Sequence, residues 1–243
     1  MKGLRLGIIA IAIAMTNVFV ACSSGGGDSS ADGASAGTPP PSSAEPAGTA
    51  CVAEPIGSSG YSLVFKGCNA SNVAEYYDKT ECVRDNATGL IWQGQTPAGS
   101  GLRANDRYMF YSNYDNGATT QFYDSTVAGE YRAPTWAEMN TVSNSIGFKN
   151  EINASNLCGY TNWRIPSIDE LATLIKLSET PKIDNAWFPN TPATSWYWSS
   201  TPFPDSLGLD SSAYGVAFNS GSVSYGMRRG VGSVGNNLIR LVR

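Results

Sequence analysis

Five cysteines, twelve tyrosines and no histidine set the chemistry open to this 243-residue chain. Without imidazole there is no Ser-His or Cys-His pair, no zinc site that needs a ring nitrogen, and no side chain that ordinarily titrates near neutral pH. Catalysis would fall to carboxylates, Tyr, Lys or Cys, and no recognisable motif assembles them, so the expectation is a protein that is not an enzyme. The cysteines divide by context. Cys22 follows an apolar run, whereas Cys51, Cys68, Cys82 and Cys158 lie in a later block, and none of the spacings is C-x-x-C, which argues against a redox motif or zinc ribbon.

Met1 to Arg5 carries two positive charges, Lys2 and Arg5, and the apolar stretch Leu6 to Met15 reads as a secretory signal peptide over residues 1–21. It ends in Phe19-Val20-Ala21-Cys22-Ser23, which resembles a bacterial lipobox with Cys22 as the acylated first residue. Ser23 behind it resembles lipoproteins sorted to the outer membrane, so the expected location is an outer-membrane anchor on the periplasmic or surface side. With Cys22 assigned to lipid, four cysteines remain in an exported chain, an even number that argues for two disulfides. Three connectivities are open. The preferred one pairs Cys51 with Cys68 locally and Cys82 with Cys158 across a long loop.

Between anchor and domain, 25 of residues 23–50 are Ser, Gly, Ala, Pro or Thr. Such a segment cannot build a core and acts as a flexible tether, with a root-mean-square reach of about 30 Å. Residues 51–243 then form one block without a further low-complexity break. Outside residues 1–50 the chain has 14 basic and 17 acidic residues, a near balance that speaks against a nucleic-acid partner. A local basic patch at Arg228-Arg229 is the exception.

Two helix starts carry capping boxes, Thr135-Trp136-Ala137-Glu138 and Ser167-Ile168-Asp169-Glu170, each just after a proline. The apolar spacing predicts helices from Thr135 to about Ile146 and from Ser167 to about Leu177. Val83 to Trp92 reads as a tight hairpin with Gly89 at positive φ, and further strands are expected at Tyr197 to Ser200, Ala213 to Asn219, Ser222 to Arg228 and Leu238 to Val242. Gly94 to Glu130, polar and rich in Gly and Tyr, reads as an extended loop or ragged hairpin. The fold class is α+β, two helices on an irregular, mainly antiparallel sheet with long loops.

Four landmarks in order, Asp85 to Trp92, Asn162-Trp163-Arg164-Ile165-Pro166-Ser167 with Glu170-Leu171, Trp198-Ser199-Ser200-Thr201, and Ile239-Arg240-Leu241-Val242-Arg243, resemble the Lcl C-terminal-like domain family over roughly Tyr77 to Arg243. The resemblance implies a fold related to the C-type-lectin-like and sulfatase-modifying-factor folds. It also implies adhesion or glycan recognition, and a trimer, from a member that binds sulfated polysaccharide. Leu241 stands where the family often has a Cys, and no collagen-like repeat precedes the domain.

Trp92, Trp163 and Trp198 are expected in the core, and Arg164 is expected to tie a carboxylate or carbonyls. Asp85 and Asn86 suit a turn, while Asp205 and Asp210 are the weak candidates for calcium. Tyr108, Tyr111, Tyr114 and Tyr123 lie in the long loop among Asn, Asp and Gln, a mixture that stacks on sugars and equally suits protein contacts. These tyrosines, with Arg228 and Arg229, are the candidate ligand-binding residues, for a glycan or for an envelope or host protein.

Overall fold

A computed structural model describes residues 51–107, 122–124, 130–132, 135–203, 212–228, 230–231 and 237–243. Strands β1 (Tyr61–Leu63), β2 (Phe65–Cys68), β3 (Ala74–Tyr76), β4 (Cys82–Asp85) and β5 (Ile91–Gln93) come first. The β4–β5 turn forms as expected, because the Asp85 carboxylate accepts the Ala87 N–H at 2.9 Å and the Thr88 hydroxyl at 2.8 Å, and Gly89 takes φ 77°. Asp85 is therefore committed to the turn. Cys82, Val83, Ile91 and Trp92 leave that hairpin fully or almost fully buried.

β1, β4 and β5 form one antiparallel sheet in which β1 is an edge. On its other side the C-terminal segment continues the sheet. Ile91 N–H donates to Arg243 O at 3.0 Å and Gln93 N–H to Leu241 O at 2.9 Å, while Val242 exchanges two 2.9 Å bonds with Arg164. Leu238 does the same for Trp196 and Trp198 at 2.9 and 3.0 Å. The predicted strand at Leu238 to Val242 is thus present as isolated bridges that stitch three pieces of chain together.

This segment is buried on both faces. Ile239 and Leu241 pack with Trp163, Trp198, Ile91 and Phe148, and Leu238 and Val242 pack with Trp92, Tyr197, Leu171 and Phe188. The three landmark tryptophans are core residues at 1% exposure or less. A second sheet, the antiparallel β8 (Trp196–Phe203), β9 (Ser212–Ala217) and β10 (Ser222–Arg228), lies where strands were expected. A third joins β6 (Phe122–Asp124) antiparallel to β7 (Glu130–Arg132) and parallel to β11 (Gly230–Val231), so the Gly94 to Glu130 stretch includes a hairpin arm.

The helices are shorter and more numerous than the spacing predicts. Both capping boxes form, at α1 (Trp136–Met139) and at α3 (Ile168–Ala172). The first predicted helix breaks after Met139, and a second one, α2 (Ser145–Ala154), starts afresh where the Asn144 side chain accepts the Ile146 N–H at 3.0 Å. Gly147 permits that restart, since a Cβ there would overlap the Thr141 carbonyl. Past Ala172 the backbone tightens into i+3 turns, with Leu174 N–H on Leu171 O and Ile175 N–H on Ala172 O. Leu171 and Leu174 stay buried while Leu177 is exposed. Periodicity identified the buried stripe but not the hydrogen-bond pattern beneath it.

Both expected disulfides are present, Cys51–Cys68 and Cys82–Cys158. The second is buried and joins β4 to a 3-10 turn at Leu157–Gly159.

Candidate functional site

Leu63 and Phe65, at 39% and 38% exposure, leave large apolar side chains at the surface on and beside the edge strand β1. They line a groove of about 500 Å³, a size that accommodates ligands. One wall is β1 itself with Tyr61 and Trp187, whose rings lie 6.1 Å apart. The next is the β2–β3 hairpin, where Phe65 meets Tyr76 edge-on at 5.8 Å. The segment Ala53 to Ile56 completes the lining from the N-terminal side of the chain.

That segment is held by three contacts. Cys51 is bonded to Cys68, its N–H donates to Asn72 Oδ1 at 3.2 Å, and the Glu54 N–H donates to the Tyr76 hydroxyl at 2.8 Å. Arg84 lines the groove from β4, and its Nε is buried without a hydrogen-bond acceptor among the described residues. Tyr160 closes one end, with the Arg243 guanidinium 3.6 Å above its ring. Burial, then the nearby Asp85 and Asp184 carboxylates, push the Tyr61 phenol up to about 12. Its hydroxyl stays protonated and can donate.

The groove therefore offers aromatic faces, one cation and hydroxyl donors. Tyr108, Tyr111, Tyr114, Asp205, Asp210 and Arg229 lie outside the described residues, as do Cys22 and residues 23–50. Tyr123 sits on β6 and Arg228 ends β10, with side chains outside what is described. Among the described residues no group of three or more Cys, Asp or Glu is arranged to hold a metal ion. No described helix is long and apolar enough to cross a membrane. Sequence reading missed the groove because its lining residues lie far apart in the chain.

A family model described as the Lcl C-terminal domain matches residues 81–243. The chain belongs to the Lcl C-terminal domain family. No curated protein and no solved structure matches it significantly. The family match begins at Glu81, so β1, β2, β3 and the Cys51–Cys68 staple precede the matched part of the Lcl C-terminal domain, and β1 adds to its sheet as the edge. The groove straddles that boundary: Arg84, Ile91, Tyr160 and Trp187 come from the matched region, and the facing walls come from residues before it.

Within the domain, the landmark Arg164 has the carboxylate expected of it, two hydrogen bonds of 2.7 and 2.5 Å to Glu170. The terminal landmark hides a further one. Arg240 is 1% exposed; its two terminal nitrogens donate to Gln93 O, Gln95 Oε1 and Thr191 Oγ1 at 2.8 to 2.9 Å, its Nε has no acceptor among the described residues, and the Phe188 ring lies 4.8 Å away. Burial lowers its pKa, and neutral oxygens with two aromatic faces stand in for a counter-ion.

Proposed function

We propose that this chain is a tethered binding module of the cell envelope, anchored in the outer membrane by lipid on Cys22 and acting in adhesion or matrix attachment rather than in catalysis. The observation that carries the reading is the aromatic groove along β1. Stacking and apolar contact on Tyr61, Phe65, Tyr76, Tyr160 and Trp187 suit an extended ligand, and Arg84 adds a fixed charge. The disulfide staple supports the same reading, because a pre-set wall lowers the ordering cost of binding. Residues 23–50 supply reach beyond the membrane surface.

The test is a glycan array and an envelope-protein pull-down with the full mature chain, comparing wild type with Phe65→Ala and Trp187→Ala. Truncating aromatic anchors typically costs about 2 kcal/mol or more, roughly a thirtyfold loss of affinity. Tyr111→Ala and Tyr114→Ala are run beside them. Loss confined to the loop pair moves the site there, and a ligand indifferent to all four removes the groove from the proposal. Anchoring is read separately. Cys22→Ser should abolish the lipid mass increment and release the protein from membranes, because each buried methylene contributes about 0.8 kcal/mol.

A further inference from the structure

The ladder between β1 and β4 fixes which main-chain groups of the edge strand are free. Asn86 N–H donates to Gly60 O, and Asp85 N–H donates to Leu90 O on the far side. Ser62 opposes Arg84. In an antiparallel pair the bonded residues alternate, so Gly60 and Ser62 face β4, and the N–H and C=O groups of Tyr61 and Leu63 face away from it. No partner for those four groups occurs among the described residues.

An open edge is usually blunted by Lys, Pro, a bulge or a covering segment. Tyr61-Ser62-Leu63 has none of the first three, and the nearest segment, Ala53 to Ile56, lines the groove without a backbone hydrogen bond to β1. Two features hold it off. Glu54 N–H is already spent on the Tyr76 hydroxyl, and Pro55 has no N–H to give. The Cys51–Cys68 bond fixes that wall to β2. Among the described residues, no segment pairs with this edge of β1.

Deepening the groove reading above, on which it rests, we infer that β1 captures an extended polypeptide strand by backbone pairing. The occupant adds a fourth strand to β1–β4–β5, bonding to Tyr61 and Leu63. Its apolar side chains, on alternate residues, meet Tyr61, Leu63 and Trp187 on one face, and an acidic residue meets the Arg84 guanidinium on the other. Glu54 on the far wall disfavours a second acid there. Main-chain bonds supply affinity and the alternating pockets supply selection, as in other strand-addition sites.

The probe is an acetylated, amidated heptapeptide of alternating valine and tyrosine with a central aspartate, added to the full mature chain. Amide hydrogen exchange should slow by about tenfold or more at Tyr61 and Leu63 while Ser62, already paired, changes little. N-methylation of the peptide on alternate residues should cost at least roughly thirtyfold in one of the two registers and little in the other. Replacing its aspartate by lysine should weaken binding about tenfold. Leu63→Pro removes an outward N–H without touching the β4 ladder and should abolish peptide binding at unchanged Tm.

Equal affinity for both N-methylated registers, or binding that leaves the Tyr61 and Leu63 amides unprotected, overturns strand capture. A glycan that binds and is lost in Phe65→Ala and Trp187→Ala, while peptides fail, overturns it but leaves the groove reading standing. Failure of every probe to respond to those two variants sinks both.

Discussion

Arg164 grips the same Glu170 carboxylate that accepts the Ser167 N–H at 2.8 Å to close the capping box of α3. Arg132 does the same to Glu138, which accepts the Thr135 N–H at 2.8 Å to cap α1. Both come from one sequence frame used twice: Arg132-Ala133-Pro134-Thr135-Trp136-Ala137-Glu138 and Arg164-Ile165-Pro166-Ser167-Ile168-Asp169-Glu170. The capping boxes were readable from sequence, and the arginine three residues before each cap was the further signal that each carboxylate has a cation. Helices of four and five residues cannot persist on propensity alone, so these ends carry much of their definition.

Glu170→Gln should therefore destabilise the domain by about 1 kcal/mol, the scale of a lost helix cap with a partly exposed ion pair. Gln keeps a carbonyl for Ser167 but loses the charge-assisted fork to Arg164. Urea titration is the measurement. A midpoint shift no larger than that of Glu179→Gln, an exposed i,i+3 pair with Lys176, would show that the fork adds nothing beyond solvent-screened attraction.

Acid should loosen both caps. The Arg132 hydrogen bonds pull the Glu138 carboxyl down from 4.5 to about 2, and Arg164 lowers Glu170 in the same direction. A depressed folded-state pKa contributes stability that is complete above the unfolded value and is lost as pH falls through the folded one. The window thus runs from about pH 4.5 down to about 2 for Glu138. Thermal melts of wild type should fall across that range, and those of Glu138→Gln should fall less, since the variant has no proton to take up there. Parallel pH profiles for the two would contradict the assignment.

Arg240 invites a different substitution series. Lysine keeps the charge but cannot reach Gln93 O, Gln95 Oε1 and Thr191 Oγ1 together, so Arg240→Lys leaves a buried ammonium under-bonded. Methionine fills much of the volume and removes the desolvated charge, while Gln93 O, Gln95 Oε1 and Thr191 Oγ1 each lose one neutral-acceptor contact. Arg240→Lys should cost about 3 kcal/mol or more, and Arg240→Met should cost less, by the logic that a buried charge without partners is worse than none. Chemical denaturation of both variants decides it, and the reverse order would mean that the charge itself stabilises this core.

What could be read from sequence follows from where the side chains point. Trp92, Trp163 and Trp198 were placed in the core because large rings rarely find another home, and the hairpin followed from Asp85 and Gly89. The run Leu238-Ile239-Arg240-Leu241-Val242 held a clue that was not used: apolar residues on both faces mean a strand buried on both, so the arginine inside it had to be buried too. The α2 helix escaped because Ser145 and Gly147 dilute its buried face, and its start rests on an Asn144 cap that opens no capping box. The groove escaped for a stronger reason. Its walls come from residues 53–56, 61–65, 76, 84, 91, 160 and 187, which no local pattern brings together.

The two disulfides should respond differently to reductant, and function should follow the exposed one. Cys68 is exposed and Cys51 partly so, whereas Cys82 is fully buried and Cys158 is 4% exposed. A mild thiol under native conditions should open Cys51–Cys68 first, because exchange needs access of the attacking thiolate to a sulfur. Mass tagging should then label Cys51 and Cys68 while Cys82 and Cys158 stay unlabelled until the domain unfolds. In the chain-entropy picture the long bridge, with a sequence separation of 76, is worth about 4 kcal/mol, so its loss should lower Tm sharply. Opening the short one frees Ala53 to Ile56 from β2 and should weaken ligand capture more than it lowers Tm. Simultaneous labelling of all four cysteines would remove the basis for this order, and binding that survives Cys51→Ser with Cys68→Ser would show that the groove wall stands without its staple.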